Sequence, residues 1–137
     1  MQRADAISCK VIIPAGDGAL WLVKYPEGHC GLPGGRAEKG EALEVAAQRE
    51  VQEEIGATVQ RLQIVDARLS LNDPTRDGQD CLVLVYLAEL AEPPRTGLST
   101  DGEVAIKVPL AALEQSGLRL PYIRSIRTLQ QRGQLVA

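Results

Sequence analysis

Residues 35 to 57 read GRAEKGEALEVAAQREVQEEIGA, and this stretch restricts the fold of the chain more tightly than any other. Leu43, Ala47, Val51 and Ile55 recur every four residues, which gives a helix one apolar stripe to bury. The spacing predicts a helix opening at Gly40-Glu41 and running to Ile55, with Gly56 as its stop. Glu50, Glu53 and Glu54 stand at i, i+3 and i+4 on the neighbouring arc. Like charges so placed repel by roughly 0.2–0.5 kcal/mol per pair, so the cluster calls for a compensating group.

A hard divalent cation supplies that compensation. Mg²⁺ takes oxygen ligands, keeps several waters and commonly sits between one or two carboxylates and substrate phosphates. Glu50 and Glu54, one turn apart, can share an ion, and Glu53 can hold a second ion or orient a water. The turn Leu32-Pro33-Gly34-Gly35 just ahead of the helix lets bare backbone approach the same place. Arg49 can pair with Glu53 at i+4 or reach back to Glu41, holding the carboxylates in position. A solvated surface helix with ordinary charge pairing would carry the same composition, and spacing alone does not separate the two readings.

The rest of the chain predicts strands and helices without a regular βαβ repeat. Ala6 to Ile13 reads as a strand stopped by Pro14, and Ala15 to Gly18 as a hairpin turn. Ala19 to Tyr25, Thr58 to Leu69, Cys81 to Leu90 and Val104 to Val108 read as further strands, with Cys81 to Leu90 apolar enough to be covered on both faces. Loops are expected at Ser70 to Gln79 and Glu92 to Gly102. Pro109 suits the first turn of a short helix through Leu113, and Pro121 that of a last helix through Gln131. The order points to an α+β architecture with a mixed sheet and flanking helices. With 137 residues, 45% of them apolar, one domain spanning 1–137 is expected.

At this point the residues resemble the Nudix box, G-x5-E-x7-R-E-U-x-E-E-x-G-U with U a bulky aliphatic. Gly35, Glu41, Arg49-Glu50, Val51, Glu53-Glu54 and Gly56 match, and Ala57 is smaller than the usual last residue. The match covers 23 of 137 residues, and the preceding LPGG is also typical of the family. The resemblance implies a Nudix-type α/β/α sandwich around a central mixed β-sheet. It implies hydrolysis, with Mg²⁺ or Mn²⁺, of a nucleoside diphosphate linked to another moiety, by water attack on phosphorus. By carry-over Glu50 and Glu54 are the main metal ligands, Glu53 assists as ligand or base, and the Gly35 carbonyl contributes. Glu41 and Arg49 become their braces. Glu103, in a loop before a strand, stands near where many Nudix enzymes keep a metal ligand or general base, and an exposed loop acid is the equal alternative. Asp101 is the weaker substitute. A nucleotide-sensing module on the same scaffold is the second reading; such modules commonly lose box carboxylates, and this chain keeps them all.

Lys24, Arg36 and the backbone at Gly34 are candidates for meeting substrate phosphates. Trp21 and Tyr25 share one face of the second strand, as core residues or as the border of a base pocket. Tyr86, Cys9 and Cys81 read as core, and His29, in a turn, as an exposed loop residue. Pro74 leans towards ADP-ribose-type substrates, and the compact chain towards nucleoside triphosphates, oxidised ones included. A net charge of −3 leaves no electrostatic footprint for duplex nucleic acid. The apolar runs fall far short of a membrane span, and MQRADAISCK has no signal-peptide pattern. A cytoplasmic protein, monomeric or homodimeric, with a small nucleotide as partner is the resulting expectation.

Overall fold

The computed structural model describes residues 6–74, 77–95 and 101–135. Its strands are β1 (Ala6–Gly16), β2 (Ala19–Lys24), β3 (Cys30–Gly31), β4 (Gly34–Arg36), β5 (Thr58–Asp73), β6 (Gln79–Glu92) and β7 (Val104–Pro109). The helices are α1 (Leu43–Ile55) and α2 (Leu120–Gln131), with a 3-10 segment at Leu110–Gln115. The strands run β3-β2-β1-β6-β5, with β4 added against β1 and β7 against β2. β1 is the hub. Ala6 to Ile12 pairs in parallel with Cys81 to Leu87 of β6, Ser8 to Lys10 pairs antiparallel with β4, and Ile13 to Gly16 pairs with β2. The sheet is mixed and lies between two helices, which is an α+β sandwich.

Alternation along the strands feeds two cores. On one face Cys9, Val11, Ile13, Leu84 and Tyr86 pack against Ala46, Ala47, Val51 and Ile55 of α1. On the other, Ile12, Leu20, Leu22, Val83 and Val85 pack against Tyr122, Ile123, Ile126 and Leu129 of α2. The doubly covered β6, the buried Tyr86 and the buried Cys9 and Cys81 follow the sequence reading. Trp21 and Tyr25 are half-buried at the border of the α1 core instead of inside it.

Several boundaries differ, each for a local reason. α1 begins at Leu43, not at Gly40-Glu41: Gly40 has φ +79, the Glu41 N–H closes a turn onto the Glu38 carbonyl, and Ala42 is extended at ψ 139. β1 continues through Pro14, which pairs with Leu20 beside a register shift where proline is tolerated. Half of the expected loop Ser70 to Gln79 is strand, because β5 and β6 stay paired from Ser70↔Cys81 to Asp73↔Gln79. Pro109 precedes the 3-10 segment as its cap. The Gly34–Arg36 and Cys30–Gly31 strands had no sequence signal, since two or three residues carry no periodicity. Part of the Glu92 to Gly102 loop, residues 96–100, lies outside the described residues.

Candidate active site

The box assembles where β4 passes beneath α1. Gly34 has φ +132, and a Cβ there would lie 2.0 Å from the Cys9 carbonyl oxygen, so only glycine lets β4 close on β1. A Cβ on Gly35 would meet the Glu50 carboxyl at 2.7 Å. Bare backbone is therefore required at Gly34, and at Gly35 a side chain would displace the Glu50 carboxyl. The Gly34 N–H donates to Glu54 Oε1 at 2.6 Å, and Lys10 Nζ donates to the Gly34 carbonyl at 3.3 Å. Gly56, at φ +63, ends α1 with its N–H on the Gln52 carbonyl.

Arg49 holds the acidic cluster together. Its Nε and Nη2 reach the two oxygens of Glu41 at 2.8 and 2.9 Å, a bidentate pair. Nη1 reaches Glu50 at 3.1 Å and Glu53 at 3.3 Å, and Nη2 also donates to the Arg36 carbonyl. Both partners suggested for Arg49 by the sequence are thus engaged at once. The hydrogen bond from Arg49, followed by the Glu38 N–H, holds the Glu41 carboxyl down at about 2. Arg49 is correspondingly raised, first by its bond to Glu41.

Glu54 behaves in the opposite way. Burial first, then a hydrogen bond with Glu103, pushes its carboxyl up to about 9, against the lowering influence of the Gly34 N–H and Lys10. Two carboxyl groups, one on α1 and one just before β7, therefore meet in a partly dry place, where burial and like charge favour the neutral form of Glu54. This answers the doubt over Glu103 in one respect: it meets Glu54 and is not an isolated loop acid. Asp101 is exposed. Glu50 is mostly covered, at 18% side-chain exposure, whereas Glu53 is 58% exposed and faces outward beside Arg49.

Among the described residues no three acidic, histidine or cysteine side chains form a preformed metal cage. The donor set nonetheless suits Mg²⁺ or Mn²⁺, which take one or two carboxylates and leave other positions to water and phosphate. Glu54 and Glu103 meet where a cation would balance their charge, and Glu50 lies over the Gly35 backbone. These groups, with Glu53 at the open edge, are the ones that could hold the ion.

A cavity of about 250 Å³ is bordered by Ser8, Lys10, Tyr25, His29, Asp73 and Tyr122. Tyr25 and His29 stack with ring centroids 4.8 Å apart, so the exposed histidine still shapes this wall. Lys10 belongs to both places, since it lines the cavity and binds the Gly34 carbonyl. Sequence reading missed it; the signal was a lone charge inside the apolar run Ala6 to Ile13. Of the proposed phosphate ligands, Arg36 is exposed on β4 with its Nη2 on Gln79 Oε1. Lys24 is exposed at the end of β2, paired in register with Cys30 and with Val104, the residue after Glu103. Lys107 lies over the Trp21 ring at 5.2 Å.

No curated protein matches the chain. Solved structures do. A NUDIX hydrolase from Nitrosomonas europaea superposes with a TM-score of 0.76 at 18% identity, covering 95% of this chain and 90% of that one. A MutT NUDIX hydrolase from Burkholderia pseudomallei gives 0.72 at 26% identity, covering 89% and 95%. The NUDIX domain of Shewanella oneidensis NrtR, complexed with ADP ribose, gives 0.74 at 18% identity, covering 93% and 89%. The family model described as the NUDIX domain matches residues 4–129. With that match spanning the box, the sheet and both helices, the chain belongs to the NUDIX domain family and is a Nudix hydrolase.

Proposed function

We propose that the protein is a divalent-metal-dependent pyrophosphohydrolase that cleaves a nucleoside diphosphate linked to another moiety, a nucleoside triphosphate or an ADP-ribose-like nucleotide sugar. The observation that carries this reading is the Glu54 carboxyl, half-buried against the Gly34 N–H and Glu103, with Lys10 linking the Gly34 carbonyl to a cavity lined by aromatic rings. Mg²⁺ or Mn²⁺, when bound, would offset phosphate charge and make a water nucleophilic at neutral pH. Glu50, Glu54 and Glu103 would hold it, together with the Gly35 carbonyl. Glu53, exposed and steadied by Arg49, would accept the proton of the attacking water. Arg49 and Glu41 position these carboxylates without touching the substrate. Lys10 offers its Nζ to phosphate oxygens at the cavity mouth, while Tyr25, His29 and Tyr122 face the nucleoside end.

The similarity to a NUDIX domain complexed with ADP ribose and to a MutT NUDIX hydrolase supports both substrate groups equally. Among the described residues no helix is long and apolar enough to cross a membrane. We place the chain in the cytoplasm, as one domain in a monomer or homodimer, with a small nucleotide as its partner.

The test is product release from triphosphates, oxidised triphosphates and ADP-ribose in the presence of Mg²⁺. Glu54→Gln should lower turnover by at least ~100-fold while the melting temperature stays near wild type. Wild-type rates in that variant would overturn the assignment. Tight nucleotide binding with no turnover in either protein would show a nucleotide-sensing module instead.

A further inference from the structure

On the sheet face opposite α1, β5 and α2 enclose a second cleft of about 290 Å³, into which Arg68, Arg124 and Arg132 converge. Two arginines elsewhere are neutralised: Arg49 meets Glu41, Glu50 and Glu53, and Arg127 meets Glu114. The three cleft arginines form no ion pair among the described residues. The one carboxylate on the cleft wall, Asp66, is engaged by the Ser125 hydroxyl and the Ala67 N–H. Arg68 is held in place by its stack over the Tyr122 ring, at 4.7 Å from the centroid. In that position its Nε–H is buried and finds no acceptor in the protein. A buried donor without an acceptor is rare and calls for an explanation. Arg132 stands just past the last residue of α2, where it offsets the partial negative charge of the helix end.

We propose that this cleft is an anion site for a phosphate group, separate from the hydrolytic centre. A guanidinium fork fits tetrahedral phosphate oxygens better than a point charge does, and three forks around one carboxylate leave a surplus of positive charge. The volume lies at the bottom of the range of roughly 300–1,000 Å³ for small-molecule pockets, so it suits inorganic phosphate, diphosphate or the tip of a phosphomonoester, not a whole nucleotide. The acceptor missing for Arg68 Nε is then an oxygen of that group. The site does not depend on the hydrolytic reading, because none of the box carboxylates lines it.

Calorimetric titration of the full chain in EDTA, with pyrophosphate and separately with glycerol phosphate, tests it without metal at the carboxylates. Saturable binding of one equivalent is expected, unchanged in Glu54→Gln. Arg68→Met keeps a straight stem over Tyr122 and removes the fork, and it should weaken binding by at least about tenfold, as should Arg124→Gln. Arg68→Lys, which keeps the charge, should also lose most of the affinity if the fork matters, and it stands in if the Met variant fails to fold. Tighter pyrophosphate binding assigns a free diphosphate, and tighter glycerol phosphate binding a phosphomonoester; either supports the site. No saturation below millimolar ligand, or equal affinity in all arginine variants, overturns it.

Discussion

The two helices close opposite faces of one sheet with side chains of different size. α1 buries Ala46, Ala47, Val51 and Ile55, whereas α2 buries Tyr122, Ile123, Ile126 and Leu129. Side chains at the contact set how near a helix lies to its neighbour. Small residues let α1 settle low enough for Glu54 to reach the Gly34 N–H at 2.6 Å and for Glu50 to rest against Gly35. Large ones under α2 give the core its volume. The contrast teaches that apolar positions can serve two ends, close approach on the reactive face and bulk on the supporting one.

The largest effect should come from Gly34→Ala. The added Cβ meets backbone at 2.0 Å with φ at +132, so denaturant melts should show no folded protein or a loss above ~4 kcal/mol. Gly133→Ala, beside α2 with φ +74 and open space around it, should lose only about 1 kcal/mol. Equal losses at the two glycines would break the comparison. Next, Ile126→Ala empties a fully buried position under α2 and should cost about 3 kcal/mol, with turnover per folded molecule preserved. If activity collapses while the protein stays folded, the two faces are not separable. Ala47→Leu should cost less, about 2 kcal/mol by overpacking, yet lower Mg²⁺-dependent turnover more than its stability loss explains, because it lifts α1 from the glycines.

The smallest effect is pH-dependent. Glu41 has a folded value of about 2 against an ordinary 4.5, so its contribution to stability is fully present above pH 4.5 and disappears as pH falls through 2. The stability gap between wild type and Glu41→Gln should close over that window in acid titrations followed by circular dichroism. A gap that persists unchanged to pH 2 would mean that Glu41 acts by packing and not by its charge pair with Arg49.

Much of this arrangement was legible in the sequence, and its gaps have physical reasons. The stripe Leu43, Ala47, Val51 and Ile55 announced α1, and Gly56 its end, since both depend on local periodicity and backbone freedom. The true start at Leu43 was hidden because Arg49, eight residues ahead, captures the Glu41 side chain and holds that residue outside the helix. β3 and β4 exist through pairing with β2 and β1, which no short window reveals. Within the box, spacing placed the three glutamates on one arc but said nothing about their separate environments. Glu53 is open and Glu54 covered because β4 and the start of β7 press on only one flank of α1. The arginine cleft was invisible for a similar reason: Arg68 lies on β5, Arg124 on α2 and Arg132 just past its end.

The parallel pairing of β1 with β6 sets the timing of assembly. Ala6 pairs with Cys81, so the hub strand waits for more than half the chain before its central neighbour exists. Such distant contacts bear a loop-closure cost and slow folding relative to local ones. A ribosome-bound chain that has already released β1, β2 and α1 holds every glutamate of the box, yet it has neither β6 to secure β1 nor Glu103 to meet Glu54. Competence for chemistry should therefore arrive late and all at once, when β6 and β7 dock.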